Sequence, residues 1–164
     1  MRELALKQNK ILIVPTPKLK KGFLLLEKVK DPKFASTIRG MFKFGRLISI
    51  NKLPKIEFMV EGSLACSLEG VRIGKSEGFS DLEFAILLEY KKIEKDIKIA
   101  TTVSEIQIFE KLPYSIHDVC IDLIATPKRL IRISRKIERP DGIIKEILDS
   151  SKIKQIPLLS KWSL

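Results

Sequence analysis

The chain has one histidine, two cysteines and no apolar run near the eighteen or so residues that a membrane-spanning helix requires. Each shortage excludes something. With His117 alone, any Ser-His-acid or Cys-His scheme must pass through that one side chain, and neither arrangement stands out around it. Cys66 and Cys120 lie in apolar stretches without a second ligand at metal spacing, which reads as two buried free thiols rather than a disulfide or a metal pair. The N-terminal stretch MRELALKQNKILIV carries charges inside its apolar run and no small-residue cleavage site, so no secretory signal is read and a cytoplasmic protein without membrane partners is expected. Acidic residues are short as well. Twenty Asp and Glu against 31 Lys and Arg leave a formal charge of +11, a balance that favours polyanionic partners such as nucleic acid, acidic membrane or phosphorylated small molecules. Scattered surface lysines produce the same balance, so charge alone selects none of these.

What remains is an ordinary globular composition, 45% hydrophobic and 31% charged over 164 residues, the size of one domain. Residues 1–9 have helical spacing. Ile11 to Val14 is a short continuous apolar run that reads as a strand buried on both faces. Phe23 to Leu26 is another apolar run, and Lys55 to Val60, Ile97 to Val103 and Val119 to Ala125 read as further strands, with Arg129 to Ile133 pairing beside the last. A final helix is expected over about Ile143 to Leu148, before a tail that carries Trp162. Continuous apolar strands separated by helices indicate an α/β domain with a mainly parallel sheet, whose ligands sit beyond the carboxyl ends of the strands.

The most distinctive stretch is EGVRIGKSEGFSDLEFAILLEY, Glu69 to Tyr90. Gly70, Gly74 and Gly78 recur every four residues, with Arg72 and Lys75 between them. Ser80-x-x-Glu83 has the spacing of a capping box, with Asp81 in the first turn, so a helix is expected from about residue 80. Its apolar positions, 82 and 84 to 88, are too many for one stripe and predict a largely covered helix. Loop amides, two cations and a helix N-terminus at one place make an anion site, with phosphate the commonest occupant, although a solvated basic turn has the same composition. Two familiar motifs are absent. The first glycine of a Walker loop ending at Gly74-Lys75-Ser76 would fall on Glu69, and the dinucleotide G-x-G-x-x-G does not fit glycines four apart.

Three further features carry chemistry. In Ile38 to Arg46, IRGMFKFGR, aromatics alternate with cations as in single-stranded RNA binding, although Met41 takes the first aromatic place of the RNP1 pattern; a loop closing over the anion site explains it equally. His117-Asp118 reads as a catalytic or metal pair or as a hydrogen-bonded corner. Asp122 lies inside VCIDLIA, where a buried carboxylate needs a partner: either a hard cation such as Mg²⁺ shared with phosphate oxygens, or a nearby Lys or Arg. The glycine loop and Asp122 are both candidates for one crevice.

The runs Gly70-x-Arg72-Ile73-Gly74-Lys75-x-x-Gly78-Phe79-x-Asp81, His117-Asp118-x-x-x-Asp122 with Thr126-Pro127, IRGMFKFGR and Arg139-Pro140-x-Gly142-Ile143 together resemble the 5-formyltetrahydrofolate cyclo-ligase (methenyltetrahydrofolate synthetase) family, and within it the divergent synthetase-domain-containing and archaeal branch. The resemblance runs from Leu4 to about Leu159. It implies a Rossmann-like, three-layer α/β fold of the sugar-phosphate isomerase and CoA-transferase kind. It also implies an ATP- and Mg²⁺-dependent closure of 5-formyltetrahydrofolate to 5,10-methenyltetrahydrofolate, through phosphorylation of the formyl oxygen. On that basis Arg72, Ile73, Gly74, Lys75, Ser76, Glu77, Gly78, Phe79 and Ser80 would cradle ATP, Lys75 and Arg72 would be catalytic cations, and Asp81 and Asp122 would hold Mg²⁺. This chain departs from the active family's pattern at Ser76-Glu77 and at Phe79-Ser80-Asp81-Leu82. The family's N-terminal helix has no counterpart, which would leave the Ile11 strand open to dimerisation. A non-catalytic nucleotide- or RNA-binding protein on the same fold, and an enzyme of that fold acting on another phosphorylated substrate, are the alternatives.

Overall fold

The computed structural model describes residues 1–75 and 77–162, with side chains through residue 160. It divides into two compact units, residues 1–53 with those from 149 onward, and residues 54–148.

The first unit opens with helix α1 (Arg2–Lys7), which buries Leu6. Strands β1 (Leu12–Pro15) and β2 (Phe23–Leu26) pair antiparallel, Leu12 opposite Leu26. The Thr16 hydroxyl closes their connection by donating to the Gly22 carbonyl at 2.9 Å and accepting from the Lys21 N–H. Helix α2 (Pro32–Ala35) is capped by Asp31, and α3 (Ile38–Phe44) by Thr37, whose hydroxyl accepts from the Gly40 N–H. Strand β3 (Arg46–Ile48) completes an antiparallel sheet in the order β1-β2-β3. The doubly buried strand is thus β2, with all four residues buried, and not the Ile11 run, which forms the partly covered edge. Leu26, Val14, Met41 and Ala35 share the core of this unit.

The second unit carries strands β4 (Phe58–Glu61), β5 (Ala65–Ser67) and β6 (Arg72–Ile73), helix α4 (Phe79–Glu89), and strands β7 (Lys98–Thr102), β8 (Ile108–Phe109), β9 (Leu123–Ala125) and β10 (Leu130–Arg132). Its main sheet has the order β10-β9-β7-β4. Strands β4, β7 and β9 are parallel, and β10 pairs with β9, the expected partner, in the antiparallel sense. A smaller sheet, β6-β5-β8, carries the beginning of the glycine stretch.

Register fixes which residues share a face of the main sheet. Met59, Glu61, Ile99, Thr101 and Ile124 point to one side and are all buried. Helix α4 lies on that side, and its Phe84, Ala85, Ile86 and Leu87 are buried, in keeping with its unbroken apolar run. The other side alternates out of phase: Phe58, Val60, Lys98, Thr102, Leu130 and Arg132 are exposed, and of its central positions only Ala100 is buried. The strands of this sheet are therefore one-sided, although their composition predicts burial on both faces.

Residues 143–148 form only a single 3-10 turn at Lys145–Ile147. The last helix, α5 (Ser150–Gln155), starts later, where the Asp149 carboxylate accepts from the Ser151 N–H. It belongs to the first unit, where Ile156 and Leu159 are fully buried.

Candidate functional site

Gly70 turns the chain between β5 and β6 with φ +92°, and a Cβ there would come within 2.8 Å of the Ile121 carbonyl oxygen. Arg72 in β6 pairs with Cys66 across the small sheet, and its guanidinium turns inward, 6% exposed as a residue. Nη2 donates to Asp81 Oδ1 at 2.8 Å and Nη1 to the Gly62 carbonyl at 3.5 Å, while the buried Nε has no hydrogen-bond partner among the described residues. The same Asp81 oxygen accepts from the Val119 N–H at 3.0 Å. Asp81 thus ties the first turn of α4 to β6 and to the segment before β9.

Helix α4 begins at Phe79, one residue before the expected start, and its N-cap is Gly78 in the left-handed region at φ 64°. The N-cap is a glycine and Ser80 already lies inside the helix, so Ser80-x-x-Glu83 is not a capping box. Ser80 instead hydrogen-bonds Glu61 at the carboxyl end of β4. Glu61 is 7% exposed; burial pushes its carboxyl above the ordinary carboxylate range, opposed by the Arg72 charge and the Ser80 hydrogen bond and reinforced by Asp81. Thr101 donates to the Glu61 carbonyl oxygen at 2.8 Å, and lies at the same distance from the Ser63 hydroxyl. In the loop between β6 and α4, Lys75 and Glu77 are exposed, as is Ile73 at the end of β6, and Gly74 is partly so; Ser76 lies outside the described residues. Lys75 makes no ion pair with a described residue. The structure therefore joins Arg72, Ser80 and Asp81 of the sequence-derived set, and adds Glu61, Ser63 and Thr101. The one sequence signal for Glu61 was its place, a carboxylate directly after the apolar run of β4.

Asp122 stands elsewhere. It precedes β9, and its N–H donates to the Ile99 carbonyl, which puts it toward the amino-terminal ends of the parallel strands, whereas the crevice of such sheets opens at the carboxyl ends. Its Oδ2 accepts from the Ile99 N–H at 2.8 Å and from Arg139 Nη2 at 2.6 Å, and Oδ1 lies 2.9 Å from Arg135 Nε. Burial alone would raise the Asp122 carboxyl, but the Ile99 N–H and the two guanidinium groups outweigh it and hold the carboxyl below its usual range. Arg139 is fully enclosed: Nε donates to the Cys120 carbonyl, Nη1 to those of Lys95 and Ile97, and its plane lies 5.7 Å from the Phe84 ring. The partner that Asp122 needed is arginine. Among the described residues no group of three His, Cys, Asp or Glu side chains is placed to hold a metal ion, and Asp81 and Asp122, each paired with arginine, do not fit a magnesium site.

The other candidates resolve simply. The His117 ring is 3.6 Å from Asp118, whose second oxygen accepts from the Ser115 N–H, which makes an exposed corner. Burial pushes the Cys66 thiol up to about 11 and raises that of Cys120, so neither is a thiolate nucleophile at neutral pH. IRGMFKFGR is helical, which turns Phe42 and Phe44 about 200° apart where a strand would have aligned them. Phe44 packs edge-on against Phe34, with Lys43 over both rings. No helix among the described residues is long and apolar enough to cross a membrane.

A mainly parallel sheet with a helix packed after a basic glycine loop places the chain in the class of Rossmann-like α/β domains. The model of the 5-formyltetrahydrofolate cyclo-ligase family matches residues 1–127, and the chain belongs to that family. It is 34% identical to a methenyltetrahydrofolate synthase domain-containing protein of Danio rerio and 32% identical to that of Homo sapiens. These matches cover 98% and 97% of this chain but 44% of each relative, so the chain spans less than half their length. Among solved structures it is similar to the Aquifex aeolicus 5,10-methenyltetrahydrofolate synthetase, with a TM-score of 0.52 at 22% identity over 84% of this chain and 65% of that one. That likeness establishes a shared fold.

Proposed function

We propose that the chain binds ATP with its phosphates against the 72–80 loop and the N-terminus of α4, and uses it to activate a reduced folate of the 5-formyl type for ring closure. The observation that carries this reading is one arrangement: exposed Lys75 in a loop that runs through the left-handed Gly78 into the N-terminus of α4, backed by a buried Arg72 whose Nε has no hydrogen-bond partner among the described residues. Phosphoryl transfer asks the protein for positioned positive charge and N–H donors more than for a nucleophile, and these residues supply both. Lys75 compensates charge on the transferring group. Arg72 acts from behind, holding Asp81 and with it the first turn of α4. The two aspartates are committed to arginines, so any magnesium the reaction uses would have to be brought by the nucleotide rather than held by these carboxylates.

The test is calorimetric titration with ATP, with and without Mg²⁺ and with 5-formyltetrahydrofolate present, followed by a turnover assay. Micromolar, magnesium-dependent binding that Lys75→Ala weakens at least about tenfold, about 1.4 kcal/mol, with no change in thermal midpoint, supports the reading. Binding without turnover makes the chain a non-catalytic nucleotide-binding member of the family. Absence of binding rejects the site.

A further inference from the structure

The 72–80 loop is clasped at both ends by one network in which two carboxylates share a single cation. Arg72, where the loop begins, donates to Asp81 just beyond its end, and Ser80 hydrogen-bonds the buried Glu61. The remaining contacts of the guanidinium go elsewhere. Nη1 donates to the Gly62 carbonyl, and Nε has no partner among the described residues, so Glu61 feels the Arg72 charge without receiving one of its N–H groups. The charged groups that act on Glu61 are Arg72 from β6 and Asp81 from α4; its cross-strand neighbour on β7, Thr101, is neutral. A buried carboxylate with a hydroxyl as its hydrogen-bond partner is costly as an anion. Ionised, it also leaves the cluster with an excess of negative charge one hydrogen bond away from the first turn of α4. Such a charge opposes an anion at that helix end.

We propose that a nucleoside triphosphate binding at this loop takes up a proton from solution, and that Glu61 is the group that receives it. The inference rests on the reading of the loop and the start of α4 as a phosphate site. Phosphate brought there adds like charge to both carboxylates, and like charge favours the protonated form. The two do not respond equally. Asp81 keeps its ion pair with Arg72 and the Val119 N–H, whereas Glu61 as the neutral acid keeps its hydrogen bond to Ser80 and sheds only an unpaired charge. Glu61 is thus a positioning residue that acts on the nucleotide through Ser80. By linkage, affinity falls as pH rises through its titration.

The test is calorimetric titration of the full chain with Mg-ATP from about pH 5 to about pH 8, at each pH in two buffers of different ionisation enthalpy, so that the difference in observed heat reads the protons exchanged. The expected result is an uptake that approaches about one proton within this range, with affinity falling there by up to about tenfold per pH unit. Glu61→Gln keeps a partner for Ser80 but has no charge to lose. It is expected to abolish the uptake, to match wild type at the acid end and to bind more tightly than wild type at the alkaline end. His117→Gln, which removes the single histidine, leaves the uptake intact. Three outcomes overturn the proposal while leaving the loop a nucleotide site: equal heats in both buffers throughout, uptake that persists in Glu61→Gln or vanishes in His117→Gln, and weakening by Glu61→Gln that is the same at every pH. Absence of Mg-ATP binding at every pH rejects the site itself and this inference with it.

Discussion

Two carboxylates are buried to nearly the same depth and behave in opposite ways. Asp122 faces Arg139, Arg135 and a backbone N–H, so its charge is held; Glu61 has a hydroxyl and a shared arginine, and burial dominates. Asp122→Asn leaves an enclosed guanidinium without its counter-charge and is expected to cost about 3 kcal/mol at neutral pH in urea unfolding. Because the folded-state pKa of Asp122 is lowered, the stability it supplies is present above the ordinary carboxylate range and is lost as pH falls through the folded value, so the gap between wild type and variant narrows in acid. Glu61 has the other sign. Its raised pKa means that the wild type loses stability as pH rises from the ordinary carboxylate value through the folded one. Glu61→Gln should therefore be more stable than wild type at neutral pH, with a difference that vanishes near pH 4, as thermal melts across that range will show. The opposite trend would mean that Glu61 is held ionised by a partner outside this cluster.

At the scale of elements, the glycine stretch is a hairpin, a loop and a helix start joined in series, and two of its glycines are there for backbone reasons. Gly78 occupies the left-handed region at the N-cap of α4, so Gly78→Ala should cost about 1 kcal/mol and also weaken ATP by displacing the first-turn N–H groups. Gly70→Ala should cost more. It combines φ +92° with a 2.8 Å approach to the Ile121 carbonyl, and denaturant midpoints will rank the two. The spacing of four was visible in the sequence, but the different demands were not, since Gly74 keeps an ordinary φ and meets only the Arg72 guanidinium. Helix α4 itself was legible from its apolar run. Its cap was misjudged because Ser80 is drawn to Glu61, a residue nineteen positions away, and a local pattern carries no information about such a competitor.

For the whole molecule, the charge of +11 is a self-repulsion that folding concentrates, so raising NaCl from about 0.05 to about 0.5 M should raise the thermal midpoint. A fall would show that specific surface pairs such as Glu105 with Arg129 outweigh the net repulsion. The same charge is distributed by the fold. Arg72 and Arg139 are consumed inside, Lys75 is left at the loop, and Lys98 and Arg132 border an open sheet face. By itself the sequence determined the family, the α/β class, the main strands and the helix that follows the glycine stretch, because periodicity, glycine spacing and residue order are local properties. Only the tertiary structure decided that Asp122 meets Arg135 and Arg139, that Glu61 joins Arg72 and Ser80, and that one sheet face stays open. Each of these depends on which distant segments share a strand register, and an apolar strand looks the same whether one or both of its faces are covered.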